Sequence, residues 1–262
     1  NPGKASQTAE LLLQTAGMET KIFVVEDTSR QGFIKTINQT AVRMSVKYIV
    51  YLAEDACPGL NWLKIAYDRL EDTGKGLLAF NCGKWHGRIA AFGMVRMQWV
   101  NKLYSGSIFY SGYKSHRADN ELTVIARANK QFCYCPQALL LENDPDKIFR
   151  NNEKSASNFN PQDKQLFIER FNTGFQGWVE QQDLEDLRDE YLNQRKFEQE
   201  ERQNFPGQEP ASKLQLSEYI DNYLKDLDHP QANILSKTLQ DLQFPNNSPA
   251  SNWRTVIESR RK

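Results

Sequence analysis

Along the first 178 residues, short apolar runs recur with polar and turn residues between them. Ile22–Val25, Tyr48–Leu52, Leu77–Phe80, Ile89–Val95 and Ala138–Leu141 are continuous rather than alternating, which is the pattern of strands buried on both faces. The intervening stretches have helical spacing. Ser6–Ala16 carries Ala9, Leu12, Leu13 and Ala16 on one face, Gly32–Val46 carries Phe33, Ile37, Ala41 and Met44, and Leu60–Leu70 carries Leu63, Ala66, Tyr67 and Leu70. Strands alternating with helices predict an α/β fold, a mostly parallel sheet with helices on both faces.

After Trp178 the pattern changes. Glu180–Arg202 is rich in charge and Gln, with Leu184, Leu187 and Tyr191 at helical spacing, and predicts a long exposed helix with a narrow apolar stripe. Phe205–Pro210 interrupts it. Leu214–Leu227 and Gln231–Leu242 predict two further amphipathic helices, and Phe244–Ser251 a loop. The expected organisation is a domain over 1–178, a helical C-terminal extension over 179–252, and a short β-prone run within 253–262. The polar face of the extension is either solvated or a surface for a protein partner.

Composition narrows the function. The chain of 262 residues carries 33 Lys+Arg and 33 Asp+Glu, so there is no basic surplus of the kind that grips nucleic acid or an anionic membrane surface. No apolar run reaches the 18 residues of a membrane span, and no signal-peptide pattern is present. The expectation is a soluble cytoplasmic protein, with peripheral membrane attachment left open. Cys57, Cys82, Cys133 and Cys135 read as buried small hydrophobes rather than a disulfide framework.

Three stretches carry chemistry. In Val24–Gly32, Glu26 and Asp27 follow an apolar run, where a carboxylate can accept hydrogen bonds from a ribose or base, or simply cap a loop. In Tyr48–Leu63, an apolar strand runs into Glu54 and Asp55; adjacent carboxylates there call for a positive neighbour, and a divalent cation on a diphosphate would serve. In His116–Arg127, Asp119 and Glu121 open a helix, as the helix dipole favours, and one of them could take a proton from a hydroxyl. Trp85 and His86, within a Gly-flanked stretch, are candidate cleft residues.

In this order the three stretches resemble the family 2 glycosyltransferases, which have the GT-A fold, over about Asn1 to Phe175. VVEDTS looks like the nucleoside-contacting strand end, LAEDACPG at 52–59 stands in the place of the Asp-x-Asp motif, and ADNEL at 118–122 with Arg127 matches the family's later acidic motif. The resemblance implies transfer of a sugar from a nucleotide-diphosphate sugar to a carbohydrate or other hydroxyl acceptor, with inversion and with Mn²⁺ or Mg²⁺ as cofactor. It implies Asp119 as the base, Glu26, Asp27 and Glu54 at the donor nucleotide, and Asp55 on the metal. Trp85, His86, Glu121 and Arg127 would contact acceptor or donor.

The sequence departs from the family in three ways. Ala53 stands where an acid often does. Asn143 and Asp144 replace the family's downstream His, which leaves Asp144 as a candidate oxygen ligand. The chain opens where the family has already passed its first strand, and Thr255–Ser259 either supplies that strand in a permuted chain or does not. The first two departures keep open a different reading, a non-catalytic transferase scaffold acting as a protein-interaction module.

Overall fold

The computed structural model describes residues 2–82, 85, 87–142 and 160–192. In chain order the elements are α1 (Pro2–Thr15), α2 (Phe33–Ala41), β1 (Tyr48–Tyr51), β2 (Ala56–Pro58), α3 (Trp62–Thr73), β3 (Leu77–Asn81), β4 (Gly93–Arg96), α4 (Met97–Tyr104), α5 (Ala118–Ala128) and β5 (Phe132–Glu142). Two further helices follow, α6 (Asn160–Asn172) and α7 (Gln181–Leu192), separated by the tight turn Gly174–Gly177.

The five strands form one sheet in the order β1-β4-β3-β5-β2. Successive side chains of a strand point to opposite faces, and both faces here are covered. In β3, Leu77 and Ala79 belong to one core and Leu78 and Phe80 to the other. β4 divides Val95 from Met94 in the same way, and β5 divides Phe132 and Tyr134 from Cys133 and Cys135. Residues of α2, α4, α5, α6 and α7 build the first core, and those of α1 and α3 the second. This explains why the runs read as continuously apolar. Each fully buried Leu in β3 contributes about 1.5–3 kcal/mol relative to exposure.

The expected α/β architecture with helices on both faces is present, but the sheet is mixed rather than mostly parallel. β3 and β5 are parallel, whereas β4 runs antiparallel to both β1 and β3, and β2 antiparallel to β5. The reason lies in the connections. A parallel pair needs a crossover, usually a helix, and 82–92 between β3 and β4 has no helix among its described residues. β5 takes in Pro136 at a register shift opposite Phe80 and Asn81, where a missing N–H is tolerated.

A second expectation also fails. Ile22–Val25 is no strand: Phe23, Val24 and Val25 are 60%, 54% and 50% exposed. Among the described residues the outer edge of β1 has no partner strand; Ile22 packs on the second core, while Phe23–Val25 stay exposed. At the start of the C-terminal extension, α7 packs by one apolar stripe and leaves Gln181, Gln182, Asp183, Glu185 and Asp186 exposed. Leu184 and Tyr191 of α7 are buried in the first core. Thr255–Ser259 and the helices expected over 214–242 lie outside the described residues.

Candidate functional site

β1, β3 and β5 point their carboxyl ends the same way, and the loop carrying Glu54 and Asp55 leaves the sheet there, directly after Tyr51. Helix α1 holds this loop: the Thr8 hydroxyl donates to the Glu54 carbonyl at 2.9 Å. The Glu54 side chain is exposed and Asp55 half-buried.

Tyr51 joins this end of the sheet to α5. It is 1% exposed, and its hydroxyl donates to the Ala90 carbonyl at 2.7 Å. The Ala90 N–H donates to the Thr123 hydroxyl at 3.0 Å, and that hydroxyl donates to the Asp119 carbonyl at 2.7 Å. The phenol is thus close enough to Asp119 to feel its charge. Burial first, and the Asp119 carboxylate second, raise the Tyr51 pKa well above its ordinary value. The ring fits because β4 opens with Gly93, at which a Cβ would lie 2.3 Å from the Tyr51 hydroxyl. Half-buried Asp119 accepts the Asn120 N–H at 2.9 Å, in the first turn of α5, where the dipole favours an anion.

The other candidates divide. Asp27 accepts the N–H groups of Gln31 and Gly32 at 2.9 and 2.7 Å, so its carboxylate shapes its own loop. Glu26 is exposed beside it. Gly32, at φ 94°, lies against the segment before α5: a Cβ there would meet the Lys114 carbonyl at 2.6 Å. That contact brings the Asp27 loop to the Asp119 helix. Glu121 is fully buried, and Arg170, Tyr104 and Tyr113 all donate to it. Arg127 donates to the Tyr191 hydroxyl at 2.9 Å, and Tyr191 in turn donates to the Arg88 carbonyl. Both Glu121 and Arg127 are engaged in holding helices together. Trp85 is half-buried against both cores. His86 and Asp144 lie outside the described residues.

Among the described residues no group of three His, Cys, Asp or Glu side chains stands together as a metal cluster. The donors present are carboxylate oxygens, which suit hard dications. Mg²⁺ in particular is commonly held by one or two carboxylates together with substrate phosphates rather than by an all-protein cage. Asp55 and Glu54 are compatible with that mode. No described helix is long and apolar enough to cross a membrane.

Several residues that shape this region gave no motif in the sequence: Thr8, Tyr51, Thr123, Asp163 and Arg170. Only Asp163 had a local signal, since Asn160-Pro161-Gln162-Asp163 reads as a helix start with Pro and an acid in the first turn.

No protein-family model matches the sequence, and no curated protein matches it. Among solved structures, the chain is similar to a mannosyltransferase from Pyrobaculum calidifontis in complex with GDP-Man and Mn²⁺. The identity is 13% and the TM-score 0.43, over 90% of this chain and 66% of that one. At that distance no activity is carried across.

Proposed function

We propose that the protein is a glycosyltransferase that moves a sugar from a nucleotide-diphosphate donor to a hydroxyl acceptor. The observation that carries this reading is the link from Tyr51 through Ala90 and Thr123 to Asp119. It ties the end of β1, where the Glu54–Asp55 loop begins, to the first turn of α5. Two acidic elements that are far apart in sequence are thereby linked through Tyr51, and open α/β sheets bind ligands at the carboxyl ends of their strands.

In this reading the acceptor hydroxyl attacks the anomeric carbon. The new glycosidic bond forms as the bond from that carbon to the diphosphate oxygen breaks, and the leaving diphosphate keeps the electron pair. Asp119 takes the hydroxyl proton. Attack opposite the leaving group inverts the anomeric centre. Glu26 and Glu54, both exposed, face the donor nucleotide, and Asp27 holds the Gln31–Gly32 turn beside it. Asp55 would hold Mn²⁺ or Mg²⁺, which when bound offsets negative charge on the diphosphate.

The deciding experiment is calorimetric titration with UDP, GDP and CDP, with and without Mn²⁺. The reading expects one nucleotide to bind in a metal-dependent way and Asp55→Ala to abolish that binding. Asp119→Asn should keep donor affinity and lose turnover. Binding of none of the three, with or without metal, would put the non-catalytic scaffold reading in front.

A further inference from the structure

Helix α6 places two charged side chains, seven residues apart and so on one helical face, against the two flanks of Asp119. Asp163, 2% exposed, accepts three consecutive backbone N–H groups: Lys114 at 2.9 Å, Ser115 at 2.8 Å and His116 at 2.7 Å. Arg170, 6% exposed, donates through Nε and Nη2 to the two oxygens of Glu121, each at 2.7 Å. One clamp ends at 116 and the other begins at 121, so Asp119 lies between them.

The segment between the clamps needs holding. Arg117, immediately before α5, sits at φ 72°, a left-handed conformation that a side chain such as Arg rarely adopts. Such a turn persists only when its surroundings fix it, and three charge-assisted bonds to one buried carboxylate do so. Asp163 also stands in the first turn of α6, where the helix dipole favours its negative charge. On the other side, the Lys114 carbonyl packs on Gly32, whose N–H is held by Asp27. The carboxylates of Asp27 and Asp163 therefore set the backbone on both sides of one contact.

We infer that Asp163 is a positioning residue for Asp119: it fixes the 114–117 backbone so that the first turn of α5 presents the base to the acceptor. The inference rests on the proposed transferase reading. Asp163 itself touches neither substrate nor reacting atoms.

The test compares the full chain with Asp163→Asn, which keeps shape and removes the charge. Asp163→Glu, which keeps the charge and displaces it by one methylene, is the second variant should the first fail to fold. Leu70→Val in α3, in the other core, is the control for lost stability alone. Misplacing a catalytic group by about 1 Å can cost about 100-fold in rate. The expected result is a 10–100-fold fall in kcat, with donor affinity by calorimetry within about twofold of the parent and an altered acid limb of the kcat pH profile. Leu70→Val should keep the parental kcat and profile. An active parent whose Asp163 variants retain full kcat overturns the inference, as does an equal loss in Leu70→Val. A parent that neither binds a nucleotide nor transfers a sugar overturns the transferase reading, and this inference with it.

Discussion

Arg170 meets Glu121 fork to fork, with Nε and Nη2 each 2.7 Å from a carboxylate oxygen and both side chains nearly out of solvent. Tyr104 and Tyr113 each add a hydroxyl, at 2.6 and 2.8 Å, and the guanidinium lies 3.4 Å over the Tyr110 ring. Removing one partner of a buried pair leaves the other charge unpaired and costs about 3–5 kcal/mol. Arg170→Met should lose stability of that order in urea unfolding. The double variant Arg170→Met/Glu121→Leu should recover part of it, because the stranded carboxylate is gone. A double variant no more stable than the single one would remove the pairing explanation.

Tyr51 predicts a smaller loss at a more informative place. Tyr51→Phe strands the Ala90 carbonyl, on a residue that is 0% exposed, and an unmade buried hydrogen bond costs about 1–3 kcal/mol. Gly93→Ala drives a methyl into the same phenol and should cost about 1–3 kcal/mol by overpacking. Thermal unfolding of both variants checks this, and a neutral Gly93→Ala would mean that the ring can move aside.

The four cysteines should be silent to thiol reagents in the native state. All are buried, and burial pushes the Cys57 thiol up to about 12, with Cys133 and Cys135 also raised chiefly by burial. The reactive species is the thiolate. Titration with a chromogenic disulfide at pH 8 should show no fast thiol before denaturant is added and four after it.

Glu71 predicts an acid-side loss of stability. Its hydrogen bond with Lys47 comes first among the causes that hold its carboxyl below the ordinary range, with Arg96 adding to it. A depressed carboxylate contributes stability above its unfolded pKa and loses it as pH falls through the folded value. Melting temperature followed from pH 7 to pH 3 should therefore drop less steeply below the ordinary carboxylate pKa in Glu71→Gln than in the parent. Identical slopes would exclude Glu71 from the acid transition.

The exposed run Phe23–Val25 gives a deletion test for residues 253–262. If those residues complete the sheet, removing them lowers the melting temperature and increases binding of a hydrophobic dye. An unchanged melting curve would leave the run open to solvent.

The local pattern alone determined much of this protein. Continuous apolar runs at Tyr48–Leu52, Leu77–Phe80 and Ala138–Leu141 became strands because a sheet covered on both faces needs apolar residues at every position. The helical spacing of Ser6–Ala16 and Leu60–Leu70 became α1 and α3 because one stripe of each faces the second core. The acids at 54, 55 and 119 stood out as candidates for the same local reason, carboxylates at a strand end and a helix start. Only the tertiary structure decided strand direction, since β4 carries the same apolar signature whichever way it runs. It also decided how each acid is used. Asp27, Glu121 and Asp163 differ in what donates to them: neighbouring amides, an arginine with two phenols, and a distant loop. Those partners lie up to 49 residues away, a separation that no local pattern records.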